Sequence, residues 1–127
     1  MPTSQVLVTR FFQLMTDRQF AEAERELERL SNDIKKNEFN RGFLGALSGM
    51  ILAHKSNDDR YVFISKANLN DKRELVKYRR EFSRHEKNKL HSNYDRGFFR
   101  AWVEYMRVLI KLTGDVKNKR AMQTKLG

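Results

Sequence analysis

Five cations recur at helical steps in the second half of this chain: Arg73, Lys77, Arg80, Arg84 and Lys87 lie four, three, four and three residues apart. That spacing places them on one face of a helix. A row of guanidinium and ammonium groups over about 20 Å of axis, at 1.5 Å of rise per residue, could follow several phosphates along a nucleic-acid strand. Arg96 and Arg100 come next in the chain, and Lys117, Lys119 and Arg120 lie in a terminal stretch, 116–127, that has no acid. The competing account is a solvated helix face in which Glu74, Glu81 and Glu86 supply partners three or four residues away. Charge distribution favours phosphate binding. Residues 1–56 hold 8 basic against 7 acidic residues, a net +1, whereas residues 57–127 hold 18 against 9, a net +9 of the total +10. Asymmetry of this size points to a polyanionic partner, RNA or DNA, rather than to uniform solubilisation.

Catalytic chemistry has little to work with. There are no cysteines, so disulfides, zinc knuckles and thiol nucleophiles are excluded. The three histidines, His54, His85 and His91, stand at no metal-ligand spacing, and Asp58-Asp59 reads as a capping pair in a polar turn. No phosphate-cradling glycine loop or nucleophile elbow is present. The expectation is a non-enzymatic protein with no metal and no cofactor.

The elements that must position the cations are helices. One proline and six glycines in a chain rich in Lys, Arg, Glu, Leu and Ala leave helices few interruptions. Sliding the sequence on itself by 55 residues pairs Arg18 with Arg73 and runs ungapped to Arg41-Gly42-Phe43 on Arg96-Gly97-Phe98 and Ala46 on Ala101, with eight identities. Apolar positions keep their phase. The sequence thus predicts an all-α domain, 1–115, of about five helices: an N-terminal helix near 4–15, then two repeated helical hairpins near 17–56 and 71–113. Within the hairpins, helices are expected near 17–36, from Asn40 to about Lys55, near 71–90 and near 95–113. Asn40 and Asp95 are the expected N-caps, Gly114 the expected stop, and 116–127 a flexible basic tail. Leu75, Tyr78, Phe82 and Leu90 should face the core. Gly42, Ala46 and Gly49 form a small-residue stripe that would admit another helix closely. In the second copy the bulkier neighbours Trp102, Tyr105 and Met106 suggest different packing. The run Tyr61-Val62-Phe63-Ile64 reads as a connector tucked into the core.

Tandem helical hairpins of this kind resemble the tetratricopeptide class of α-solenoids, although that unit is near 34 residues and here the period is 55. The resemblance implies stacked hairpins whose faces bind macromolecules. Gln5-Val6-Leu7-Val8-Thr9-Arg10-Phe11-Phe12 resembles the sliding-clamp interaction motif, a Gln followed by an aliphatic residue and an aromatic pair. That likeness implies Gln5 in a polar pocket and Val8, Phe11 and Phe12 as a plug on a clamp. The same apolar residues, with Met15, also make an ordinary helix stripe. Two alternatives to nucleic-acid binding follow, a clamp-binding adaptor and a small subunit of a ribonucleoprotein or protein assembly. Met1–Gln5 has no signal-peptide character and no run approaches the roughly 20 apolar residues of a membrane span, so a cytoplasmic protein without membrane contact is expected. Duplicated hairpins could pair within one chain or between copies, which leaves a homo-oligomer open.

Overall fold

A computed structural model describes residues 2–55 and 71–126, with side chains described for 5–54 and 71–112. The connector with Tyr61-Val62-Phe63-Ile64 and the pair Asp58-Asp59 lie outside the described residues. Five helices and no strand occur among those described: α1 Pro2–Thr16, α2 Phe20–Asp33, α3 Glu38–Lys55, α4 Lys72–Lys87 and α5 Asn93–Leu126.

Helix α1 presents Val8, Phe11, Phe12 and Met15 to the core along one stripe, all of them buried. It ends in a left-handed turn. The N–H of Gln19 donates to the Leu14 carbonyl and that of Arg18 to the Met15 carbonyl, with Arg18 at φ 60°. This is the Schellman arrangement, filled here by arginine where glycine is usual. The Arg18 guanidinium lies 5.7 Å from the centre of the Phe20 ring, which stacks in turn on His54 at 5.0 Å. Burial, with Arg18 as a secondary cause, holds the His54 pKa below its ordinary value.

Helices α3 and α5 cross where both begin. A Cβ added at Gly42 would overlap the Tyr94 carbonyl, and one added at Gly97 would overlap the Phe39 carbonyl. Each glycine therefore admits the other helix's backbone at a position three residues before its counterpart. Ala46 and Ala101 are fully buried further along, so the second hairpin keeps the close approach despite the bulk of Trp102, Tyr105 and Met106. The caps match across the same 55-residue interval. The Asn37 side-chain oxygen accepts from the Asn40 N–H at 2.8 Å, and the Ser92 hydroxyl accepts from the Asp95 N–H at 3.1 Å. Asn37 and Ser92 are thus the N-caps, three residues before the expected Asn40 and Asp95; Asn40 instead donates its side-chain amide to the Lys35 carbonyl.

Helix α5 is the centre of the bundle. Residues 101–106 are buried without a break, because α1, α3 and α4 all pack against it. Phe12 of α1 stacks on Tyr105 with ring centres 5.2 Å apart. The helix passes through Gly114, the expected stop, and its backbone stays helical through the stretch read as a flexible tail. Helix α4 begins at Asp71, whose carboxylate accepts from the Arg73 N–H, and stops at Lys87 because the Asn88 side chain accepts from the Leu90 N–H at 2.9 Å in a tight turn. That turn turns Leu90 out to 94% exposure, correcting the expectation that it joins Leu75, Tyr78 and Phe82 against the core.

Candidate nucleic-acid interface

Two helices build one cationic groove. Arg79, Arg80, Arg84 and Lys87 of α4 line it from one side and Arg100 and Arg107 of α5 from the other, around a space of about 600 Å³. Ser83, Glu86 and Val103 complete the lining. Two carboxylates organise the α5 side. Glu104, nearly buried, accepts from Arg100 at 2.8 Å and sits 3.4 Å from Arg107, and Glu86 reaches Arg100 at 3.6 Å. The paired acids hold both guanidinium groups at the groove wall, and each guanidinium has more N–H donors than these contacts use. On the α4 side, and among the described residues, Arg79, Arg80, Arg84 and Lys87 have no carboxylate within ion-pair distance. Glu86, which the competing account of a solvated face would pair along α4, instead reaches across to Arg100 of α5.

Of the cations expected from sequence, Arg73, Lys77, Arg80, Arg84 and Lys87 are all exposed on α4. Arg80, Arg84 and Lys87 meet Arg100 in the groove, while Arg73 and Lys77 continue the row toward the start of the helix. Arg96 is used differently: its Nε donates to the Glu86 carbonyl at 2.8 Å and ties the end of α4 to α5. Lys117, Lys119 and Arg120 are on the helical backbone of α5, with their side chains outside the described residues. Arg79, Ser83 and Arg107 were missed. The seven-residue step from Arg100 to Arg107 was the available signal, two turns along one helix face.

The α2–α3 pair forms a second groove at corresponding positions. Glu24, Glu28, Ser31, Ser48 and Leu52 line it, and adding 55 to each number gives Arg79, Ser83, Glu86, Val103 and Arg107 of the cationic groove. Leu27 and Ile51 supply its apolar floor.

Other expected sites fall elsewhere. Gln5 is exposed, but Phe11 and Phe12 are at 0% exposure and Val8 is buried, so a clamp would reach the aromatic pair only if α1 left the core. Of the aromatic residues crowding the starts of α3 and α5, Phe43, Trp102 and Tyr105 are core, and Tyr94 is 41% exposed. Two of the three histidines come together. His85 Nδ1 is 3.2 Å from His91 Nε2 across the α4–α5 turn, and both rings lie against Phe99. Such a bond needs one ring nitrogen to donate and the other to accept. Among the described residues no three potential metal ligands come together, and no helix is long and apolar enough to cross a membrane.

Comparison with protein families, with characterised proteins and with solved structures finds no match to this chain.

Proposed function

We propose that this protein binds RNA or DNA by its phosphate backbone in the α4–α5 groove, as a binding protein and not a catalyst. The observation that carries the reading is the convergence of six cations from two helices on one groove. Five of the six are arginines, whose planar fork matches phosphate oxygens bidentately. Arg73 and Lys77 lengthen the track along α4. Binding is electrostatic: each phosphate neutralised releases condensed counterions, and affinity falls as salt rises.

The test is fluorescence anisotropy of labelled single-stranded RNA, single-stranded DNA and duplex DNA across a salt series. Six backbone contacts give a log–log slope of about −4 on a single strand and about −5 on a duplex. Arg80→Glu with Arg84→Glu should flatten that slope as well as weaken binding. A slope near zero, or unchanged binding by the variant, overturns the proposal.

A further inference from the structure

The α2–α3 groove has the opposite character from its counterpart. Leu27, Ile51 and Leu52 give it an apolar floor and edge, with Leu52 47% exposed, and Glu24 and Glu28 stand at its rim. The helix behind that rim is locally anionic in a cationic chain: α2 carries five acids against two arginines, a net −3, where the whole protein is +10. A helix that combined basic and apolar residues would meet both features at once, burying apolar surface on the floor and placing cations at the rim.

This chain contains such a helix. Helix α5 is 34 residues long and α3 is 18. Residue 110 of α5 corresponds to Lys55 at the end of α3, so sixteen residues run on past it, about 24 Å at 1.5 Å per residue. Residues 111–126 carry Lys111, Lys117, Lys119, Arg120 and Lys125 against Asp115 alone, a net +4, together with Leu112, Val116, Met122 and Leu126. The groove rim carries the acids Glu24 and Glu28 and the segment is +4, so the two surfaces are opposite in sign within one sequence.

We propose that the α2–α3 groove receives residues 111–126 of α5 from a second copy of the chain. The contact is heterologous, one surface of each copy against a different surface of the next, so it builds a closed ring or an open head-to-tail chain according to the rotation between copies. It draws on surfaces distinct from the α4–α5 groove and stands whether or not that groove binds nucleic acid.

Sedimentation velocity tests it at about 100 mM salt, where the Debye length is about 10 Å and contact charges still act. The wild-type chain should form concentration-dependent oligomers that dissociate as salt is raised, and a synthetic peptide of residues 111–126 should cap them. Glu24→Lys with Glu28→Lys, and separately Lys117→Glu with Lys119→Glu and Arg120→Glu, should each weaken association at least about tenfold. Mixing the two variants is the decisive arm. The basic helix of the first meets the intact acidic groove of the second, and the acidic helix of the second meets the lysine-rimmed groove of the first, so association should be restored in the mixture. A mixture that stays as dissociated as either variant alone would overturn the proposed contact. The matching positive arm combines both sets of changes in one chain, giving a basic groove and an acidic helix, which should associate with itself again. A wild-type chain that stays monomeric throughout also overturns the proposal, and so does a peptide that leaves wild-type oligomers intact, a measurement that needs no substitution to fold.

Discussion

Glu24 and Arg79 hold corresponding places in two grooves formed by corresponding helix pairs, yet one groove is rimmed with acid over an apolar floor and the other is lined by six cations. Helices α3 and α5, which supply one wall of each groove, cross reciprocally, with Gly42 against the Tyr94 carbonyl and Gly97 against the Phe39 carbonyl, although α4 packs far more extensively on α5 than α2 does on α3. Backbone geometry and surface chemistry are thus separable in this protein. Close approach is set by a few small residues inside the bundle, and charge largely by side chains at its surface, so the second can change without disturbing the first.

The largest effects are expected at the two crossing glycines. Gly42→Ala and Gly97→Ala should each cost about 1–3 kcal/mol of stability in urea unfolding, because the methyl group collides with backbone that has no rotamer to give. Costs that differ several-fold between the two would mean that the crossing is not equivalent from its two sides. Next comes Tyr105, which stands where the first hairpin has Met50. Burial pushes its hydroxyl up to about 12 from 10.0. The folded-state pKa is the higher one, so the contribution is complete below pH 10 and is lost as pH rises from 10 toward 12, by up to about 3 kcal/mol. Tyr105→Phe should remove that alkaline sensitivity.

Charge reversal sharpens the contrast between the grooves. Arg80→Glu with Arg84→Glu should lower affinity for nucleic acid at least about tenfold. Arg25→Glu with Arg41→Glu, exposed cations of the first hairpin that pair with Glu22 and Glu38, should change it far less. Equal losses would assign the binding to net charge and not to the α4–α5 groove. The smallest effect is expected at His54, the counterpart of Leu109. Its pKa is lowered by burial, so the unfolded chain takes the proton first, and stability should fall as pH drops below about 6.5, the ordinary histidine value. His54→Leu should flatten this acid limb of a thermal-melt series.

The helices were legible in the sequence wherever apolar residues recur at three and four, as in Val8, Phe11, Phe12 and Met15, since one periodicity serves both folding and burial. Their ends were harder. Asn40 and Asp95 are good capping residues, but Asn37 and Ser92 stand three residues earlier, and the first competent cap starts the helix. Gly114 did not interrupt α5 because a single glycine costs only about 1 kcal/mol inside a helix. The cationic row on α4 was readable as a face. The groove was not, because Arg79 and Arg107 become neighbours only through the pairing of α4 with α5, and no local pattern encodes which helix lies alongside which.

The stack of Phe12 on Tyr105 joins residues 93 apart in the chain. During synthesis, at about 5–20 residues per second, α1 waits on the order of 5–19 s for the ring that covers it. Until then its apolar stripe of Val8, Phe11, Phe12 and Met15 lacks that cover. The order of manufacture therefore leaves exposed for a time a surface that the finished protein buries, and a nascent chain stalled before residue 105 should be held by chaperones that release the completed one.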